Sequence, residues 1–316
     1  MAAPETTDGI HISTEQLVAL EVRARDLRFV QKARSHQQLA GRMNAAMRGR
    51  GLTFEELRDY LPGDDIRSID WRVTARTARP VVRIYSEEKE RPALIVVDQR
   101  INMFFGSRRS MKSVAAAEAA MLCAWRILGS GDRVGGFVYG DDRVLEIKPN
   151  RSRNAVIALA DRIAEMNGRL SATYPGKPST TGLDNVLRRV AAIARHDHLI
   201  VIVSDFDGHG PETKDLLLRL SSRNDVICLL VYDPFLLELP ESGDLVISGG
   251  GLQAELSLGQ TGIRSSISAF ARNRGRELRA WQRELGLAML PLSAAEETAP
   301  QLRRLLAQST WRQRRR

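Results

Sequence analysis

Aromatic side chains make up only 5% of this 316-residue chain, so no segment offers the run of stacking platforms on which single-stranded nucleic acid is bound. Cysteine is scarcer still. Cys123 and Cys228 lie inside apolar segments and read as core thiols, which excludes a disulfide scaffold and a zinc motif. No apolar run reaches the ~18–20 residues of a membrane-spanning helix, since Leu199 to Val203 and Val226 to Tyr232 are far shorter. The first residues are acidic early and carry no apolar stretch of the secretory kind, which points to the cytoplasm. A Gly-x-x-x-x-Gly-Lys-Ser/Thr loop is also missing, so nucleotide phosphates have no cradle.

What the chain does contain suits a folded core: 43% hydrophobic and 27% charged residues, over a length that allows two ordinary domains or one large α/β unit with appendages. The formal charge of +9 sits at the two ends. Arg23, Arg25, Arg28, Lys32, Arg34, Arg42, Arg48 and Arg50 crowd the first, and the last closes on Arg312 and Arg314 to Arg316. Without stacking aromatics, such a surface suits a solvated helix face or a protein-docking surface better than a nucleic-acid groove.

Four segments follow from the pattern. Residues 1–50 read as a basic helical arm, with Ser13 capping a helix from Thr14 to about Arg34. Residues 51–92 form a dense segment expected to pack on the main domain, in which Phe54 to Tyr60 predicts one or two helical turns and Pro62-Gly63-Asp64-Asp65 a tight turn. Residues 93–240 carry apolar runs (Ala93 to Val97, Leu199 to Val203, Val226 to Val231) alternating with helices, as central parallel strands covered on both faces do. Val134 to Tyr139 and Val144 to Lys148 predict a hairpin with one antiparallel edge strand. Residues 241–316 supply a second hairpin around Gly249-Gly250-Gly251 and a helical closure that includes a strand at Ala288 to Leu292.

An open α/β sheet binds ligands beyond the carboxyl ends of its strands. Asp98 ends the first apolar run, Asp205 and Asp207 follow the Leu199 run, and Thr180-Thr181-Gly182 precedes a helix. Such residues also cap helices, so the trio Asp98, Thr181 and Asp205 has a purely structural reading. It also resembles the metal-ion-dependent adhesion site of von Willebrand factor A domains, where Asp-x-Ser-x-Ser and a Thr hold Mg²⁺ and the metal's open position takes a partner's carboxylate. Asp98-Gln99-Arg100-Ile101-Asn102 puts Arg100 and Asn102 at the two Ser positions. That substitution implies a degenerate site with no metal, its positive charge supplied by Arg100 pairing with Asp98 or Asp205; if Mg²⁺ bound at all, Asp98, Asn102, Thr181 and Asp205 would hold it.

The string from Gly51 to Arg76, with Arg58, Tyr60, Pro62, Gly63, Asp64, Asp65, Arg67, Asp70, Trp71 and Arg76 at its centre, resembles the signature of the bacterial domain-of-unknown-function 58 family. The likeness runs on through Phe105-Gly106, Lys112, Gly131 to Gly135, Ser204-Asp205-Phe206 and Tyr232-Asp233-Pro234. It implies a von Willebrand A-like domain partnered by a MoxR-type AAA+ ATPase and its client protein, here in a short form without the membrane helices of the family's longer members. Read physically, the signature's Arg and Asp residues form a partly buried ion-pair network around apolar side chains, Trp71 among them, or else Asp64 and Asp65 display an acidic patch to a partner. The expected function is a non-enzymatic adaptor. Two alternatives stay open: a metal-dependent hydrolase using Asp98, Asp205 and Asp207, and a nucleic-acid binder using the basic ends. His196, His198 and His209 lack a third ligand at metal spacing and read as loop residues.

Overall fold

Ser13 caps the first helix as expected. Its hydroxyl accepts from the Gln16 amide at 3.3 Å while the Gln16 side chain accepts from the Ser13 amide at 2.9 Å, closing a capping box at the start of α1 (Thr14–Ala19). The turn at Leu20 leads into α2 (Glu21–Ala24). Leu17, Leu20, Ala24 and Leu27 are buried in the main hydrophobic core, so these residues are not an arm. The computed structural model describes residues 9–27, 52–87, 91–173, 178–179, 181–241, 244–249, 252–257 and 261–313; the rest of the expected Thr14 to Arg34 helix lies outside them. Two compact units divide the chain, Gln31–Glu90 on one side and Met1–Val30 with Arg91–Arg316 on the other.

The smaller unit pairs β1 (Leu52–Asp59) with β2 (Val81–Glu87) in antiparallel register and carries α3 (Trp71–Thr77) between them. The helical turns expected at Phe54 to Tyr60 are therefore a strand. β2 supplies a ladder that local propensity could not foresee, and a bulge at Phe54/Glu56 absorbs the irregular pattern. The carboxylates between the strands are turned inward. Asp64 accepts from the Leu61 amide at 2.8 Å, and both of its oxygens accept from Arg58 Nη2 at 3.0 Å. Asp65 accepts from the Arg67 amide at 2.9 Å, and Asp70 caps α3 through the Arg72 and Val73 amides while Arg83 Nε reaches its other oxygen at 2.8 Å. The ion-pair network is thus present, but it displays no acidic patch. Trp71 is 64% exposed, which overturns its expected burial: as the first residue of α3, it points away from the ladder that Asp70 faces.

The larger unit runs β3 (Pro92–Asp98), α4 (Lys112–Gly129), β4 (Arg133–Tyr139), β5 (Val144–Asn150), α5 (Arg153–Asn167), α6 (Gly182–Ile193), β6 (Leu199–Ser204), α7 (Pro211–Arg223), β7 (Asp225–Tyr232), β8 (Asp244–Gly249), β9 (Leu252–Ser257), α8 (Thr261–Leu285), β10 (Ala288–Ser293) and α9 (Thr298–Gln313). Six strands form one sheet in the order β10-β7-β6-β3-β4-β5, parallel except for the edge strand β5. β8 and β9 make a separate hairpin. Counted in order of appearance, the sheet reads 3-2-1-4-5-6, a von Willebrand A-like arrangement whose connections reverse direction between β3 and β6. β3 and β6 are buried along nearly their whole length because helices cover both faces. One layer holds α4, α5 and α9 with α1 and α2, and the other holds α6, α7 and the Leu278–Trp281 face of α8. Alanines at 115, 116, 117, 119, 120 and 124 keep α4 slim enough to be buried from Lys112 to Trp125. Among the described residues no helix is long and apolar enough to cross a membrane.

Candidate functional site

The chain reversal between β3 and β6 leaves the carboxyl ends of two adjacent central strands facing one crevice, and each ends on a polar residue: Asp98 on β3 and Ser204 on β6. Two residues beyond Asp98, the extended backbone at Arg100 turns the side chain back over the strand end. Asp98 then receives the guanidinium as a fork. Arg100 Nε lies 3.0 Å from Oδ1 and Nη2 lies 2.7 Å from Oδ2, while the Arg100 amide donates to Oδ1 at 3.1 Å. Ser204 Oγ donates to Asp98 Oδ2 at 2.7 Å and accepts from the Phe206 amide at 2.8 Å and from the Tyr139 hydroxyl at 3.3 Å.

Arg100 is wholly buried, and its remaining N–H groups are spent on backbone. Nη1 donates to the carbonyls of Ser179 (3.1 Å) and Asp207 (3.2 Å), and Nη2 also reaches Asp207 at 3.2 Å. The ring of Tyr139 lies 5.4 Å from the guanidinium carbon. Gly182 lets the Arg100 stem pass: a Cβ there would sit 3.2 Å from its Cδ.

Asp205 is the second node. Lys112, at the first turn of α4, places Nζ 2.6 Å from Oδ2; Asn102 donates its amide at 3.2 and 3.3 Å; the Asp207 amide donates at 2.9 Å. Arg100 Nη2 stands 3.8 Å away and Arg274 Nη1, from α8, 3.9 Å, and Arg274 also pairs directly with Asp207. Asp141 ties the rim together by accepting from the Ile101 and Ser179 amides, both at 2.8 Å.

Burial alone would push the Asp205 carboxyl upward, but Lys112, Arg100 and Arg274 outweigh it and hold the group below the usual carboxylate range. The same competition acts on Arg100, where burial opposes the charge and Asp98 more than restores it, so the guanidinium stays ionised. Burial, aided by Asp98, keeps the Tyr139 hydroxyl protonated far above its ordinary value. Burial likewise pushes Asp141 up. The core thiol of Cys228 is pushed up to about 12 by burial and is inert.

The expected partnership of Arg100 with Asp98 is thus present, and Asn102 joins Asp205. Thr181 does not join them. It is exposed at the start of α6, where Oγ1 accepts from Asn185 Nδ2 at 3.4 Å, and the preceding loop enters the network through the Ser179 carbonyl instead. Thr180 lies outside the described residues. Sequence reasoning missed Lys112 as a ligand of Asp205, although a lysine starting an otherwise apolar helix was a usable signal. Arg274 gave none, being one of many arginines far along the chain.

This donor set does not fit a divalent cation. Every carboxylate oxygen of Asp98 and Asp205 already accepts from a cationic side chain, a hydroxyl or an N–H, and Asn102 presents nitrogen rather than oxygen. A dication about 4 Å from the Arg100 charge would meet about 8 kcal/mol of repulsion at an effective dielectric near 20. No cluster of three His, Cys, Asp or Glu side chains suited to a metal exists among the described residues. The histidines lie elsewhere: His196 and His198 bond locally, and His209 packs edge-on to Trp281 at 5.1 Å.

Comparison with known proteins adds three findings. A family model described as "Protein of unknown function DUF58" matches residues 56–277. "Uncharacterized protein Mb1516" of Mycobacterium bovis and "Uncharacterized protein Rv1480" of Mycobacterium tuberculosis are each 31% identical over 218 residues, 66% of this chain. The matched stretch spans 65% of the length of these relatives. A solved structure, described as the conserved hypothetical protein BatB from Bacteroides thetaiotaomicron, aligns with 68% of this chain and 97% of its own at 11% identity, with a TM-score of 0.40.

Proposed function

The chain belongs to the DUF58 family, and from that premise we propose that it is a non-enzymatic interaction module of the cytoplasm, an adaptor for a MoxR-type AAA+ ATPase acting on a client protein. The observation that supports this reading is the buried Arg100–Asp98 fork at the strand ends, backed by Lys112 on Asp205. A hydrolase would need an activated water there, held by a metal or a general base. Instead the carboxylates are committed to internal cations, and the crevice is a rigid, preformed rim. Such a rim suits presentation: the loops around Asn102, Asp207 and Ser179 are fixed by the network beneath them and offer a partner one conformation. The ATPase would supply the energy.

The test is made on the purified full-length chain. It should turn over no ATP, ester or phosphoester substrate with or without Mg²⁺ or Mn²⁺, and should co-elute with the AAA+ ATPase of its own organism in the presence of a slowly hydrolysed ATP analogue. Divalent-dependent turnover that follows the protein through chromatography would sink the reading.

A further inference from the structure

In the small unit, the carboxylates of Asp64, Asp65 and Asp70 are consumed by amides or by Arg58 and Arg83, whereas Arg67, Arg72, Arg76 and Arg79 have no carboxylate partner among the described residues. All four of these arginines are exposed. Helical geometry sorts α3 accordingly. Val73 and Thr74 turn toward β2, where Thr74 Oγ1 accepts from the Val81 amide at 3.1 Å, and Trp71, Arg72, Ala75 and Arg76 fall on the exposed side. Leu61 and Ile66, on the two sides of the Pro62–Asp65 turn, are exposed as well. Large apolar side chains left in water beside unpaired arginines are what an interface core looks like before its partner arrives.

We propose that the outer face of α3 with the adjoining turn is a docking surface for an acidic segment of a partner protein, with an apolar side chain of that segment covering Trp71 and its carboxylates meeting Arg72 and Arg76. Charge complementarity carries the choice of occupant. Asp64, Asp65 and Asp70, the carboxylates nearest this face in sequence, are engaged internally, and Arg72 and Arg76, one helical turn apart, repel each other until an anion lies between them. Single-stranded nucleic acid is the less suitable occupant. It would need successive stacking rings, and this face offers one ring flanked by aliphatic residues. The inference deepens the adaptor reading and rests on it.

Fluorescence anisotropy on the full-length chain tests it with three labelled probes: a dodecapeptide alternating Glu with Leu and Phe, the same peptide with Lys for Glu, and an oligothymidylate. The wild type should bind the acidic peptide. Trp71→Ala, and separately Arg72→Glu with Arg76→Glu, should each weaken it about tenfold or more, while Trp71→Phe retains most of the affinity. Unchanged thermal melts, expected for exposed positions, would show that the variants fold. Equal affinity in all variants, or preference for the lysine peptide or the oligothymidylate, overturns the proposal. An AAA+ ATPase that binds wild type and variants alike leaves the adaptor reading standing and overturns this surface. Binding of the acidic peptide through Trp71 and the two arginines, with no ATPase binding, does the reverse.

Discussion

Arg100 carries a full charge at zero exposure, a state that is tolerable only because all of its guanidinium N–H groups are directed at acceptors and Asp98 lies against it. Arg100→Met would leave Asp98 buried without its cation and should cost about 3–5 kcal/mol in denaturant melts. Arg100→Ser combined with Asn102→Ser removes the repulsion and restores hydroxyl ligands, so calorimetric titration with Mg²⁺ should show binding in the double variant and none in the wild type at millimolar ion. Asp205 sets a pH dependence of definite sign. Its folded value lies below the ordinary 3.8, so its stabilisation is present above that pH and is lost as the pH falls through the folded value. Lys112→Met takes away the leading opponent of burial, and the acid limb of the stability curve should move to higher pH. Of this site the Asp98–Arg100 pairing was legible, because two residues of extended chain bring such side chains back together. Lys112, Ser204 and Arg274 were not, since only the folded sheet brings them from 93, 106 and 69 positions away to their partners.

At the scale of elements, apolar runs with period-free burial were readable as central strands, and helices alternate with them as expected. Phe54 to Asp59 was not readable, because Glu55-Glu56 and Leu57 fit a helix as well as a strand and the deciding partner is β2, more than twenty residues on. Trp71 was misplaced for a related reason. Size argues for burial, yet the Asp70 cap fixes which way α3 faces. The tightest constraint between elements is at Gly136, where a Cβ would lie 2.0 Å from the Ile95 carbonyl oxygen. Gly136→Ala must therefore part β3 from β4. It should unfold the larger unit or lower its melting temperature by well over the few degrees that about 1 kcal/mol produces, readable by circular dichroism.

For the whole molecule, the decisive fact is that α4 is packed by both ends of the chain: α1 and α2 on one side, α9 on another. Deleting residues 1–27 removes Leu17, Leu20, Ala24 and Leu27 from that core and should lower the melting temperature of the larger unit markedly, where loss of a solvated arm would leave it unchanged. The same arrangement bears on the order of events at the ribosome. Synthesis at about 5–20 residues per second finishes Leu17 roughly 15 to 55 s before Leu292 emerges on the far edge of the sheet. The leucines of the first helices pack on α4 and α5, which are not finished until Asn167, whereas residues 31–90 are complete earlier as a unit of their own. Leu17, Leu20, Ala24 and Leu27 thus wait for helices made only after the whole of residues 31–90, and nascent chains halted before Asn167 are expected to be held by chaperones where chains halted after it are not.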